Sequence, residues 1–167
     1  ILFDTRPTED AVRAFLSRYL TIFQKLAAIL DALHSTGIVF GDLSANNVLI
    51  HPETLDVKIV DLEGAQEEGA TESARQYTPG FADKRRMAGA PPTRASDYYA
   101  FGAVMLHLLT HANNVLELKP EARDEILHAM TRDFGLPPEI LDVIRNLLDE
   151  DPARRQRPSA LLGGLRR

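Results

Sequence analysis

The sequence predicts a mainly helical domain interrupted by one short β-hairpin, and three features carry that expectation. A long amphipathic run occupies residues 8–36, a second stretch after residue 96 is apolar on almost every face, and between them two short β-branched runs are separated by a turn. The first run has Thr8 as its cap and Glu9-Asp10 in its first turn, where acidic groups favour a helix start. Leu16, Leu20, Phe23, Leu26, Ile29, Leu30 and Leu33 recur at three- and four-residue steps, so one face seeks a core; Gly37 supplies the stop.

Val48-Leu49-Ile50 and Val57-Lys58-Ile59-Val60 form the expected hairpin, turning through His51-Pro52-Glu53-Thr54. Residues 64–94, rich in Gly, Pro, Glu, Thr and Arg, read as one long loop, and a loop of that length in a small domain is usually functional. Ser96 and Asp97 are expected to open the buried helix through Ala100, Val104, Leu106, Leu108 and Leu109. Amphipathic helices are expected near 120–133 and 138–149, started by Pro120 and Pro137-Pro138, and Asp151-Pro152 ends the second. Gly163-Gly164-Leu165-Arg166-Arg167 reads as a frayed end or linker.

Composition narrows the function. The 167 residues suit one domain with one core, 44% of them being apolar. Nineteen basic against 24 acidic residues give a formal net charge of −5, which leaves no basic patch for nucleic acid. The absence of cysteine removes disulfides and thiolate zinc sites and agrees with a cytoplasmic location. No apolar run is long enough to span a membrane, and no signal-peptide pattern is present. The chain opens at Ile1-Leu2-Phe3-Asp4 without Met, so a segment of a longer protein is expected.

The chemistry is concentrated in Asp42-Leu43-Ser44-Ala45-Asn46-Asn47 and, after the hairpin, Asp61-Leu62-Glu63-Gly64. A carboxylate, an amide five residues on and a second carboxylate are the parts of a phosphoryl-transfer site: a proton acceptor and two hard oxygen ligands for Mg²⁺. The competing reading of Asp42 and Asn47 is an Asx turn whose side chains satisfy only local backbone.

Leu33 to Leu43 resembles the protein-kinase run ending in His-Arg-Asp-Leu, and Asn47-Val48-Leu49-Ile50 resembles its continuation. Asp61-Leu62-Glu63 stands where Asp-Phe-Gly is expected. Tyr77-Thr78-Pro79-Gly80-Phe81 resembles the end of an activation segment, Asp97 to Gly102 the start of the central helix, and Asp151 to Ser159 the Asp-Pro…Arg-Pro-Ser close. In order and spacing, the chain is similar to a protein-kinase C-lobe over nearly its whole length. The resemblance implies a mainly α fold, residues 1–167 forming a C-terminal lobe whose short β-hairpin carries the catalytic and metal-binding loops. The N-lobe, with its Gly-rich loop and Lys strand, is expected upstream. It implies Asp42 as catalytic proton acceptor, Asn47 and Asp61 as ligands of Mg²⁺ and nucleotide, and Leu49 as floor of the adenine pocket. For Asp97 it implies a buried helix cap that also accepts N–H bonds from the catalytic loop.

Four departures accompany the match. Gly41 replaces the Arg that pairs with an activation-loop phosphate, so activity is expected to need no such phosphate. Ser44 replaces a Lys that supports the transferring phosphoryl group. Leu62-Glu63 replaces Phe-Gly, which removes easy access to positive φ and offers Glu63 as an additional metal ligand or as a solvated loop charge. Asp83-Lys84-Arg85 stands in place of Ala-Pro-Glu, leaving Asp83 as the substitute partner for Arg157. His107 and His111 are read as packing residues, and Lys84-Arg85-Arg86 as a solvated face or a contact for acidic peptide.

Gly-Asp-Leu-Ser-x-x-Asn-Val-Leu-Ile, Thr78-Pro79-Gly80-Phe81 and Pro92 to Asp97 look most like the kinase domain of class III lanthipeptide synthetases. That likeness implies phosphorylation of Ser and Thr in a precursor peptide by ATP or another nucleotide such as GTP, with Mg²⁺. Lyase and cyclase domains of the same parent chain would then eliminate phosphate and add thiols. The alternatives are an ordinary bacterial Ser/Thr kinase, a small-molecule phosphotransferase of the aminoglycoside type, and a pseudokinase scaffold. Retention of Asp42, Asn47 and Asp61 argues against the last.

Overall fold

A computed structural model of the chain describes residues 8–70, 76–110 and 122–165. Helix α1 (Glu9–Ser35) begins where Thr8 Oγ1 accepts the Ala11 N–H at 3.2 Å, with Glu9 and Asp10 facing the positive end of the helix dipole. It stops at Thr36, after which Gly37 donates its N–H to the His34 carbonyl at 3.1 Å. Strands β1 (Ile38–Val39), β2 (Val48–Ile50), β3 (Val57–Ile59) and β4 (Gln66–Glu67) follow, with 3₁₀ turns at Ala45–Asn47 and Leu62–Gly64.

The strands form two antiparallel pairs. β2 and β3 make the expected hairpin, in the register Val48↔Ile59, Leu49↔Lys58, Ile50↔Val57. Its turn is tied to α1 by Arg18 Nη2, which donates to the Pro52 carbonyl at 2.9 Å, and by Lys25 Nζ, 2.8 Å from Asp56 Oδ1. The Lys25 bond holds the exposed Asp56 carboxyl below its usual range. β1 pairs with β4 through Ile38↔Glu67 and Val39↔Gln66, inside the stretch expected to be all loop. Strands of two residues carry no periodicity for a sequence reading to find.

Among the described residues, the C-terminal half holds α2 (Lys84–Met87), the buried helix α3 (Arg94–Thr110), α4 (Ala122–Phe134), α5 (Pro138–Leu147) and α6 (Pro158–Gly163). Pro120, His111 and the terminal Arg pair lie outside the described residues. α3 starts earlier than Ser96-Asp97. Thr93 Oγ1 accepts the Ser96 N–H at 3.2 Å while Ser96 Oγ accepts the Thr93 N–H at 2.8 Å, a reciprocal cap that places Asp97 inside the helix.

Ala100, Phe101 and Ala103 to Leu106 of α3 are buried, as an apolar helix at the centre requires. Tyr19, Phe23, Leu26 and Leu30 of α1 cover one side, and Ile140, Leu141, Ile144 and Leu147 of α5 the other. Ring centroids step from Tyr19 to Phe23 at 4.6 Å and from Phe23 to Phe101 at 5.5 Å. The Tyr19 hydroxyl donates to the Met105 carbonyl at 2.8 Å, and burial pushes its pKa well up. At Gly102 a Cβ would stand 2.7 Å from Leu147 Cβ, so the end of α5 approaches α3 only because that side chain is missing. Among the described residues no helix is long and apolar enough to cross a membrane.

Asp83 is buried and caps α2, accepting the Arg86 N–H at 2.9 Å on Oδ1. Its Oδ2 pairs with Arg155 Nη1 at 2.5 Å, and the same guanidinium donates to the carbonyls of Ala95 and Asp149, each at 2.8 Å, over the Tyr99 ring. This corrects the expectation for Arg157, which is exposed and reaches only Asp31 at 4.0 Å. The short turn Pro152–Arg154 after Asp151 turns residue 155 inward, so the arginine four residues past Asp151 does the pairing. Arg86 is likewise internal rather than solvated, donating to the Ala90 and Gln76 carbonyls at 2.6 and 2.8 Å. Removing one member of a buried pair strands the other charge. Arg155→Met should therefore lower unfolding free energy by about 3 kcal/mol or more, and Arg157→Met by less than about 0.5 kcal/mol; denaturant titration of both variants measures the difference.

Candidate active site

Asp42 lies three residues past the end of β1, and the two residues between them are held by one carboxylate. Asp97 Oδ2 accepts the Phe40 N–H at 2.8 Å and Oδ1 accepts the Gly41 N–H at 2.9 Å. His34 Nε2, near the end of α1, lies 2.8 Å from Oδ2. A carboxylate has only acceptors to offer, so His34 carries its proton on Nε2, and its buried Nδ1 has no partner. The expected capping role of Asp97 is absent, since Thr93 is the cap; the expected N–H bonds from the catalytic loop are present.

Asp42 itself is half-buried, and its Oδ1 accepts two bonds from one residue: the Thr78 N–H at 2.7 Å and the Thr78 hydroxyl at 2.8 Å. Oδ2 is left as the atom able to take a proton. The Asx-turn alternative for Asp42 fails here, because its partner lies 36 residues away. Asn47, buried in the 3₁₀ turn Ala45–Asn47, donates from Nδ2 to the Asp42 carbonyl at 3.0 Å, which fixes its amide and leaves Oδ1 as the acceptor.

The hairpin sets Asp61 beside Asn47. Val48 pairs with Ile59, and the Val60 N–H donates to the Asn47 carbonyl at 2.9 Å, so Asp61 is the next residue out from that bond. Its backbone is left-handed, φ 60° and ψ 72°, a conformation Asp tolerates better than most residues. Its exposed carboxylate has no protein partner among the described residues. Asn47 Oδ1 and the Asp61 carboxylate are hard oxygen donors of the kind Mg²⁺ takes, so the donor set fits such an ion. Among the described residues no group of three His, Cys, Asp or Glu is placed to hold a metal.

The remaining candidates are placed as follows. Leu49 is 54% exposed on β2, and Leu62, which follows Asp61 in the chain, is exposed as well. Glu63 is exposed in the turn Leu62–Gly64. Positive φ falls on Asp61 itself, so a glycine at 63 is not needed for this turn. Ser44 is buried with its hydroxyl unpartnered by protein, so it offers no group to the open face. His107 packs edge-on against Phe81 at 5.8 Å. Thr78 was legible only as part of a motif; its double bond to Asp42 has no spacing signature.

A model of the protein kinase domain matches residues 11–163. The chain belongs to the protein kinase family. It is similar to ribosomal protein S6 kinase alpha-3 of Homo sapiens, 27% identical over 157 residues that cover 89% of this chain and 20% of that protein. Serine/threonine-protein kinase PknK of Mycobacterium tuberculosis is 29% identical over 155 residues, covering 86% of this chain and 14% of that one. Wall-associated receptor kinase-like 15 of Arabidopsis thaliana is 31% identical over 136 residues, 77% of this chain and 21% of its own. The chain thus spans about a fifth or less of the length of these relatives.

In this kinase-family domain the glycine at 41 has a backbone reason. Its φ is +81°, and a Cβ there would meet the Gly64 carbonyl oxygen at 2.5 Å. Gly64 in turn packs on Asp42, where an added Cβ would stand 3.2 Å from the Asp42 Cβ. An arginine at 41 is thus excluded by the contact between the two loops. Gly69 also has positive φ, +88°, but open space around it. Gly41→Ala should destabilise the fold by about 1–2 kcal/mol more than Gly69→Ala, the surplus being the clash with backbone; equilibrium unfolding of both variants reads it directly.

Proposed function

We propose that this domain is the C-terminal lobe of a kinase that transfers a phosphoryl group from ATP or GTP to Ser and Thr hydroxyls of a peptide. The observation that carries the reading is the state of Asp42: Thr78 pins one carboxylate oxygen, and the Asn47 amide bonds the Asp42 main chain next to the hairpin that carries Asp61. A pinned carboxylate with one free oxygen can orient an attacking hydroxyl and receive its proton as the phosphoryl group moves. Asn47 and Asp61 would hold Mg²⁺, which neutralises charge on the nucleotide phosphates when bound. Leu49 would lie under the base. The buried Ser44 hydroxyl leaves the charge support of a lysine to be supplied by another group.

The N-lobe is proposed to come from the same polypeptide, because this sequence holds no Gly-rich phosphate loop and no Val-Ala-Ile-Lys-type strand. Leu49, Val60 and Leu62 are exposed apolar residues on or just after the hairpin strands, which such a lobe would cover. Residues 1–167 alone are accordingly expected to transfer no phosphate.

For the acceptor we propose the precursor of a lanthipeptide, with lyase and cyclase domains completing the parent chain. The reading is supported by Gly41-Asp42-Leu43-Ser44, Asp61-Leu62-Glu63-Gly64-Ala65 and Thr78-Pro79-Gly80-Phe81 together. The named relatives favour a second reading, an ordinary bacterial Ser/Thr protein kinase.

In the full-length protein, Asp42→Asn keeps size and hydrogen bonding but removes the base. Phosphopeptide formation should fall by a factor on the order of 10² or more, with nucleotide affinity near normal. Asp61→Asn should instead weaken Mg²⁺-dependent nucleotide binding, followed by calorimetry. Mass spectrometry of the co-produced precursor peptide separates the two acceptor readings: dehydrated Ser and Thr in wild type and an unmodified peptide with Asp42→Asn support the lanthipeptide assignment. Full dehydration with Asp42→Asn would assign this domain a scaffold role.

A further inference from the structure

Glu68, just after β4, makes a contact that the catalytic reading leaves unused. Its Oε1 accepts the backbone N–H of Arg94 at 3.1 Å, and its Oε2 lies 2.9 Å from Arg94 Nε. One carboxylate thus takes both the main chain and the guanidinium of the first residue of α3, where the helix dipole also favours negative charge. On its other side Glu68 donates its own N–H to the Gly37 carbonyl at 2.9 Å, extending the β1–β4 pairing.

These bonds close a circuit around the residues that precede Asp42. β1 is held by β4, β4 runs into Glu68, Glu68 grips the start of α3, and α3 returns through Asp97 to the N–H groups of Phe40 and Gly41. Residues 37–41 are therefore fixed from the sheet side and the helix side together. Gly41, whose Cβ position is filled by the Gly64 carbonyl, has no room for an arginine that would receive a loop phosphate.

We propose that Glu68 and Arg94 are a positioning pair for Asp42. A resident carboxylate ties the 64–94 segment to α3, so the site is set without phosphorylation of that segment. This inference rests on the kinase reading above for its link to catalysis. The pair is partly exposed, with side-chain exposures of 45% for Arg94 and 35% for Glu68, so it adds little to global stability. Its effect lies in where residues 37–42 are held, and screening by salt should weaken it.

The test uses the full-length protein, with Glu68→Gln, Arg94→Gln and the charge-keeping Arg94→Lys. The probes are Mg²⁺-ATP, Mg²⁺-GTP and a mixture of Ser- and Thr-containing peptides. Expected in both Gln variants are a fall of roughly tenfold in kcat, nucleotide Kd within about twofold of wild type, and an unfolding midpoint within about 2 °C. Arg94→Lys should recover most of the rate, and phosphatase treatment of wild type should leave its rate unchanged. Hydrogen exchange adds a readout independent of activity: the Phe40 and Gly41 amides should exchange faster in the Gln variants. Wild-type rate and wild-type exchange in Glu68→Gln would overturn the proposal, as would loss of wild-type activity on removing phosphate from residues 64–94. A wild type that phosphorylates none of the peptides sinks the kinase reading instead, and faster exchange at Phe40 and Gly41 would still support the positioning role.

Discussion

The Asp97 carboxylate is the joint on which this architecture turns. It is 1% exposed, lies within the first turn of α3, and accepts from Phe40, Gly41 and His34 at 2.8–2.9 Å. An ionised group so deeply buried is stable only when each oxygen is satisfied, and here backbone N–H groups and an imidazole do that. The consequence is positional. Two neighbouring pieces, the end of α1 and the residues before Asp42, meet the start of α3, which comes much later in the chain, at one point, so the core that locates α3 also locates Asp42.

Asp83 and Arg155 perform the equivalent task at the far side of the 64–94 segment. They are buried like Asp97, and Arg155 also donates to the Ala95 and Asp149 carbonyls. Neither joint is an argument for high stability, because desolvating the charges offsets most of the attraction between them. What each gives is register: α2, α3 and the turn after α5 can dock in one arrangement without leaving a charge unpaired. The exposed pairs Lys84–Glu150 and Arg132–Asp133 impose no such constraint.

The helices were legible in the sequence because burial writes a period into it. The α1 stripe, the all-apolar α3 and the β2–β3 hairpin appear close to their expected places, and the Asn47 side chain bonds the Asp42 carbonyl while its own carbonyl accepts the N–H of Val60, the residue before Asp61. Three things were hidden, each for a physical reason. The β1–β4 pair is too short for any pattern. The start of α3 depends on Thr93 and Ser96 each accepting the other's N–H, and Thr93, inside the stretch read as loop, gives no sign of being the cap in place of Ser96. The Arg155–Asp83 pairing depends on the inward turn at Pro152–Arg154, which makes residue 155 face the core and residue 157 the solvent.

The departures from the usual kinase motifs are less independent than they look in sequence. Gly41 and Gly64 meet because neither carries a side chain, and their contact brings the segment 40–42 against the turn 62–64. That turn begins at Asp61 in the left-handed region, so positive φ is used at the carboxylate itself and Glu63 can take an ordinary helical conformation. The distance from the proposed base to the proposed metal ligand is then fixed by main chain packed on main chain, backed by the Val60-to-Asn47 bond. Such a contact offers no charge for a phosphate to engage and no side chain to swing. The glycine pair sets the spacing of these two turns through the main chain alone, with no side chain at 41 to pair with a phosphate.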